Sequence, residues 1–527
     1  MKNRIALFLK LCIFCLILLG LPCPALAANA ASGNADIFVD RLPKIHPEYT
    51  DITIPPNIAP LNFQIQEPGT RYDVKIYSKE GNPIEIHTRK PTITIPMRKW
   101  KRLLDANKSS ELYIEICVHD ENNRRLGFKT ITNTIADVHI DSYLAYRKIK
   151  LSVAWNQMGF YQRNIENYDE SIILHNLSFG RGCIHCHSFF KNSSNEMLTQ
   201  IRSEKYGTPM IMVDNGEVLS INTETKFTPG KAGFTAWHPN GRVIAFSINK
   251  FEMFFHTAAV EVRDVLSHAS DLALYLIDSG KVLSTGKITK PDRMETFPEF
   301  SPDGRYLYFC SAPQVPVERY REVRGDLMRI SYDAETQKWG ELETVLSAAD
   351  VNGSITQPRF SPDGRFLLFN VSEYSVFPIH QAKCDLYLMD MQTGQYRRLD
   401  ISSARCDAWH SWSSNGRWLV FSSKRMDGRF ARPFISFIDA AGKAYKPFVL
   451  PQKDPAFYDS LVYVYNMPEI LTGPVNVTAK EISRAIRAYN HAAPSDVITG
   501  ATPGAEKAPP AQDWSSPGYD EPWRKKE

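Results

Sequence analysis

Between Tyr49 and Ile135 apolar and polar residues alternate along the chain. Tyr72-Asp73-Val74-Lys75-Ile76, Ile84-Glu85-Ile86 and Leu112-Tyr113-Ile114-Glu115-Ile116 each put every second side chain on one apolar face. That period predicts half-buried strands. Phe63-Gln64-Ile65, Thr92-Ile93-Thr94-Ile95 and Phe128-Lys129-Thr130-Ile131 extend the series, with Gly, Asn and Pro between runs. Residues 28–136 therefore read as a small β-sandwich-like domain, with a helical turn near 97–106. Over 137–204 the alternation fades. Aromatics in 141–146 and 155–158 fall at helix-like intervals, which predicts a short helical connector.

A repeat dominates the next 260 residues, roughly 205–465. Four segments align without gaps: 237–242 (WHPNGR), 300–305 (FSPDGR), 360–365 (FSPDGR) and 412–417 (WSSNGR). Each is followed by an apolar run, such as Tyr306-Leu307-Tyr308-Phe309 or Phe366-Leu367-Leu368-Phe369. Asp or Asn followed by Gly makes a tight turn between two strands. A four-stranded sheet cannot bury both faces alone, and radial stacking of such units gives a β-propeller. A weaker unit at 209–221 and a last one within 434–464 bring the expected number of blades to about six. The chain class is thus mainly β. Thr478 to Glu481 forms a capping box that opens a short helix within 466–490. Residues 491–527 hold six Pro and three Gly with almost no apolar run and read as a disordered tail.

Residues 1–27 have the form of a secretory signal: Lys2 and Arg4, an apolar run over 11–21, then Ala25-Leu26-Ala27. An exported protein of the periplasm or envelope is expected, with no integral span in the mature chain. The formal net charge is +4, and Lys2, Arg4 and Lys10 account for three of those charges. A near-neutral mature chain argues against a nucleic-acid partner. Of nine cysteines, Cys12, Cys15 and Cys23 leave with the signal. Cys117 and Cys310 lie in apolar strand patterns and read as buried thiols, while Cys384 and Cys406 are candidates for a disulfide.

Cys183-Ile184-His185-Cys186-His187 has the C-x-x-C-H form of a c-type haem attachment site. Two thiols at that spacing reach the two vinyl groups of one porphyrin, and His187 would become the proximal iron ligand. A zinc site is a weaker alternative, because no second Cys/His pair follows. A redox dithiol is another. Met197 is the first candidate for a sixth iron ligand, with Met158, His256 and His410 behind it. Tyr161, Phe189 and Phe190 are candidates for an apolar haem wall.

The F-S-P-D-G-R repeats resemble the TolB-like propeller family. Together with the export signal and the single C-x-x-C-H, they resemble a group of exported bacterial proteins linked to cytochrome c. This resemblance implies covalent haem c at Cys183, Cys186 and His187, and a role in electron transfer or cytochrome-related processes. Its partner would be a redox or envelope protein. The alternative is a protein-interaction scaffold in which the motif is structural or binds another metal. A third possibility places His238 and His410 together in an axial funnel as an enzymatic site. A hydrolase is disfavoured, since no G-x-S-x-G precedes a helix.

Overall fold

The computed structural model describes residues 37–150, 157–225, 232–255, 261, 263–374, 377–489 and 497–499. The signal segment lies outside them, as does all of the tail but 497–499. Six four-stranded antiparallel units surround one axis. Blade 1 comprises Cys183–Phe189, Glu196–Arg202, Met210–Asp214 and Glu217–Ile221. Blade 2 has Ala232–Trp237 innermost, blade 3 Arg293–Phe300, blade 4 Ser354–Phe360 and blade 5 Asp407–Trp412.

Blade 6 closes the ring with strands from both ends of the propeller. Its inner strand is Tyr463–Leu471, and its outer three are Tyr143–Lys150, Met158–Asn164 and Glu170–His175. This corrects two expectations. The region 137–204 is not a helical connector but three strands of blade 6 and two of blade 1. The propeller accordingly spans about 143–471. Of the aromatics that suggested a helix, Tyr146 serves the packing of strands, stacking near Tyr161 and meeting Tyr465 edge-on at 4.8 Å, and Trp155 lies outside the described residues. Tertiary pairing overrode the local period here. From the tail, Val497–Thr499 pairs parallel to the outer strand of blade 2.

The repeat explains itself at atomic level. In blades 3, 4 and 5 the Gly304, Gly364 and Gly416 N–H groups donate to Ser301, Ser361 and Ser413 carbonyls at 2.8, 2.8 and 2.9 Å. The Ser361 hydroxyl accepts the Phe366 N–H at 2.9 Å, and Asp363 Oδ1 accepts the Arg365 N–H at 3.1 Å. Gly304 needs its lack of a Cβ twice over: its φ is +73°, and an added Cβ would lie 2.7 Å from His238 Nε2 of the preceding blade.

The N-terminal domain pairs a seven-stranded sheet with a three-stranded one and carries the helix Met97–Ala106. Its apolar core is continuous with that of blades 4 to 6, through residues such as Tyr49, Ile54, Trp418 and Tyr465. The polar seam fixes the docking: Ser414 donates to Asp141, and both Asn415 and Trp418 donate to the His139 carbonyl. The domain thereby covers part of the face that carries the inter-strand turns.

Candidate functional site: the propeller axis and the C-x-x-C-H strand

Each inner strand is interrupted at the same place. Register shifts fall between Ile184 and His187, Ala232 and Thr235, Thr296 and Glu299, Thr356 and Arg359, and Ala408 and Ser411. The pairing of Tyr463–Leu471 skips in the same way around Met467. A bulge re-aims the side chain at its centre. Six side chains are thereby turned to the axis: Cys186, Phe234, Phe297, Gln357, Trp409 and Met467, all buried. Four of them have positive φ: Phe297 (52°), Gln357 (55°), Trp409 (53°) and Met467 (51°). Left-handed backbone costs a non-glycine residue roughly 1–2 kcal/mol. Packing at the axis offsets it: Phe234 and Phe297 centroids lie 4.0 Å apart and Phe234 to Trp409 5.8 Å. Gln357 Oε1 accepts the Trp409 N–H at 3.0 Å.

The cavity these residues leave has a volume of about 30 Å³ and is lined also by His187, Arg359, His410 and Glu469. That is room for a water molecule. Arg359 sits between two half-buried carboxylates, 3.1 Å from Glu299 and 4.0 Å from Glu469. Burial pushes Glu469 up to about 7, against the pull of Arg359. Burial also pushes His410 down to about 3, and its Nε2 meets the Leu368 carbonyl at 3.1 Å.

The C-x-x-C-H motif is the inner strand of blade 1. Cys186 is its axial residue, whereas Cys183 is half-buried against the apolar cluster between blades 1 and 6. The two thiols thus face different cores. His187 is 1 % exposed and stacks on Phe160 at 4.4 Å, with Phe189 at 5.8 Å. Neither ring nitrogen has a hydrogen-bond partner. Burial pushes the imidazole down to about 3, with Arg147 adding to the shift. Burial likewise pushes the Cys186 thiol up to about 12.

The donor chemistry of a haem site is therefore present: two thiols, an imidazole with both nitrogens unpaired, and aromatic walls. The arrangement does not fit a porphyrin. Ligand pockets run to roughly 300–1,000 Å³, and the described residues leave a tenth of that or less beside Cys186 and His187. The thiols also diverge. Met197 is buried in the cluster of Phe160 and Phe189, the two rings against His187, and stands opposite Phe189 on the next strand. His187 and Met197 thus lie on one face of one sheet, so they cannot approach an iron from its two sides.

The other candidates separate. The Met158 sulfur accepts the Ile184 N–H at 3.2 Å and so supports the motif strand. His238 bonds the Gly304 carbonyl at 3.0 Å in the next blade's turn, while His410 lines the axis, so no shared funnel forms. His256 lies outside the described residues. Phe190 packs on Trp237 at 5.7 Å and Tyr161 near Tyr146, so only Phe189 of the expected wall is at His187. Cys384 and Cys406 come together as β-bridge partners, both as buried free thiols. Among the described residues no group of three or more His, Cys, Asp or Glu could hold a metal ion. Sequence reasoning missed Phe160, Arg147 and the bulge ring. The aligned repeats held a signal for the ring: its residues lie three positions before the aligned Trp or Phe.

No family model and no curated protein matches the chain. Among solved structures it is similar to TolB from Acinetobacter baumannii, with 12 % identity, TM-score 0.40, and 69 % of this chain and 79 % of that one covered. It is also similar to the Pseudomonas aeruginosa periplasmic gluconolactonase PpgL, with 13 % identity, TM-score 0.34, and 59 % and 97 % covered. A third is a chain of a nidogen/laminin complex, at 9 % identity, TM-score 0.36, and 63 % and 98 % covered.

Proposed function

We propose that this chain is an exported propeller scaffold that docks a protein partner of the cell envelope on its loop face. The loop face carries the connections between second and third strands and between blades. One observation supports this reading: where the described residues leave ligand-sized room. The axis is plugged, and the N-terminal domain covers part of the turn face. A cleft of about 470 Å³ opens between the loops of blades 3 and 4, lined by Arg321, Glu373, Tyr374, Lys383, Asp385 and Tyr387 among others. Tyrosine and arginine of this kind anchor protein partners well. Export rests on the form of residues 1–27, and no helix among the described residues is long and apolar enough to cross a membrane. The test is site-specific photo-crosslinking in the producing cell. A probe at Tyr387 should give a discrete crosslinked envelope protein, and the same probe at Asp363 on the turn face should give none. Equal labelling from both sites, or from neither, defeats the proposal.

Covalent haem c is the second reading, with Cys183 and Cys186 attached, His187 on the iron and electron transfer as the role. What favours it is the pair of unpaired nitrogens on His187. It requires blade 1 to open its inner strand. A haem-stained band on a denaturing gel that Cys186→Ala abolishes would establish it, and an unstained band from protein co-expressed with a maturation system removes it.

A further inference from the structure

The motif strand is flanked by two arginines that no carboxylate described in the structure neutralises. Arg147, on the second strand of blade 6, is 7 % exposed. One of its nitrogens donates to the Ile184 carbonyl at 2.6 Å, and its Nε has no partner. Arg202, at the end of the second strand of blade 1, stands opposite Cys183 in the sheet register. Its guanidinium lies over the Phe251 ring at 5.4 Å, and its Nε and Nη2 are buried without partners. Neither arginine forms an ion pair with a carboxylate among the described residues. Residues 151–156, which follow the strand of Arg147, contain no Asp or Glu. Two further donors close by are unpaired, His185 Nδ1 and Gln200 Nε2. His185 stacks on the same Phe251 ring, with centroids 6.1 Å apart.

The chemistry is one-sided. Apart from the Thr199 hydroxyl, every unpaired group on these strands is an N–H donor or an imidazole nitrogen, and both charges are positive. A buried unpaired charge is strongly unfavourable, and so is a buried donor without an acceptor. A guanidinium presents parallel N–H groups that match carboxylate and phosphate oxygens. Cys183 and Arg202 are both partly exposed, so the cluster reaches solvent at the start of the motif strand.

We propose that Arg147 and Arg202, with His185 and Gln200, form a binding site for the oxyanion of a small ligand, either a carboxylate or a phosphate. The site belongs to blade 1, between Arg147 of blade 6 and Phe251 of blade 2. It stands whether or not haem is attached and whether or not the loop face docks a partner.

The test uses the mature full chain with inorganic phosphate, malonate and chloride as probes at matched ionic strength. Phosphate or malonate should raise the melting temperature by a few degrees over chloride. Calorimetric affinity for the active anion should fall roughly 10–100-fold in Arg202→Gln. A second readout separates binding from architecture. Without anion, Arg202→Gln should melt at or above the wild-type temperature, because an unpaired, largely desolvated charge has been removed. A response to phosphate alone assigns a phosphorylated ligand, and one to malonate alone assigns a carboxylate. Equal responses to all three anions overturn the proposal. So does an unchanged affinity in both Arg202→Gln and Arg147→Gln, or a marked loss of stability in anion-free Arg202→Gln.

Discussion

In the turn of blade 4 the polar groups are answered within six residues. Ser361 accepts from Phe366, Asp363 from Arg365, and Gly364 donates back to Ser361. In blade 1 the equivalent stretch keeps some local bonds, such as the Ser193 N–H to the Phe190 carbonyl at 2.8 Å, and adds distant partners. The Asn192 amide donates to the carbonyls of Trp412 and Ile470, both at 2.8 Å, and the Phe189 N–H reaches Glu469. The strands on either side of it leave His185, His187 and Arg202 nitrogens unpaired. The same four-stranded unit is thus closed mainly by local bonds in one place and tied more heavily to its neighbours in the other. Unpaired groups concentrate in the dependent blade, and that is where a ligand or a chemical modification would have most effect.

Breaking the seam outright should have the largest effect. A chain ending after Val462 lacks the inner strand of blade 6, leaving Tyr143–Lys150 an unpaired edge. It should lose cooperative thermal unfolding in calorimetry. A sharp transition near the wild-type temperature would show that the ring does not depend on closure.

Trp409→Ala empties the axis and should cost roughly 3–5 kcal/mol in denaturant titration. A cost near 1 kcal/mol would mean that the bulge ring does not hold the blades together.

The titratable groups at the axis give opposite pH slopes. His410 has a folded pKa of about 3, below its usual value, so it loses stability as pH falls from 6.5 toward 3. Glu469, raised to about 7, contributes stability below pH 4.5 that is lost as pH climbs through 7. Relative to wild type, His410→Gln should gain about 1.4 kcal/mol per pH unit on acidification below 6.5. Glu469→Gln should gain as pH rises. Flat difference curves for both would place these side chains in water.

Gly304→Ala should cost on the order of 1–3 kcal/mol, from its positive φ and the approach to His238. Ser361→Ala should be mildest, about 1 kcal/mol for one hydrogen bond. If Ser361→Ala proves costlier than Trp409→Ala, the turns rather than the axis hold the blades.

Cys183, Cys186 and His187 were legible as a chemical pattern, and the four Asx-Gly turns as a propeller. The spacing of the motif could not show that its strand would pair with Glu196–Arg202, because a C-x-x-C-H reads alike in a helix or a strand. Nor could 141–146 show its partner, since Tyr463–Leu471 lies more than 300 residues away.

What the sequence determined by itself is everything that local chemistry controls. That covers the alternating strands of the N-terminal domain, the tight turns that set the blade repeat, and the capping box at Thr478, where Glu481 answers in the structure as expected. Turn angles and side-chain periods are properties of a few neighbouring residues. Only the tertiary structure decided that Cys186 would face the axis while Cys183 faces the seam, and that Arg147 would reach the Ile184 carbonyl. It also decided that the ring would close with strands from both ends of the propeller. Those outcomes depend on a bulge and on pairings between distant segments, whose energies appear only when the whole ring is assembled.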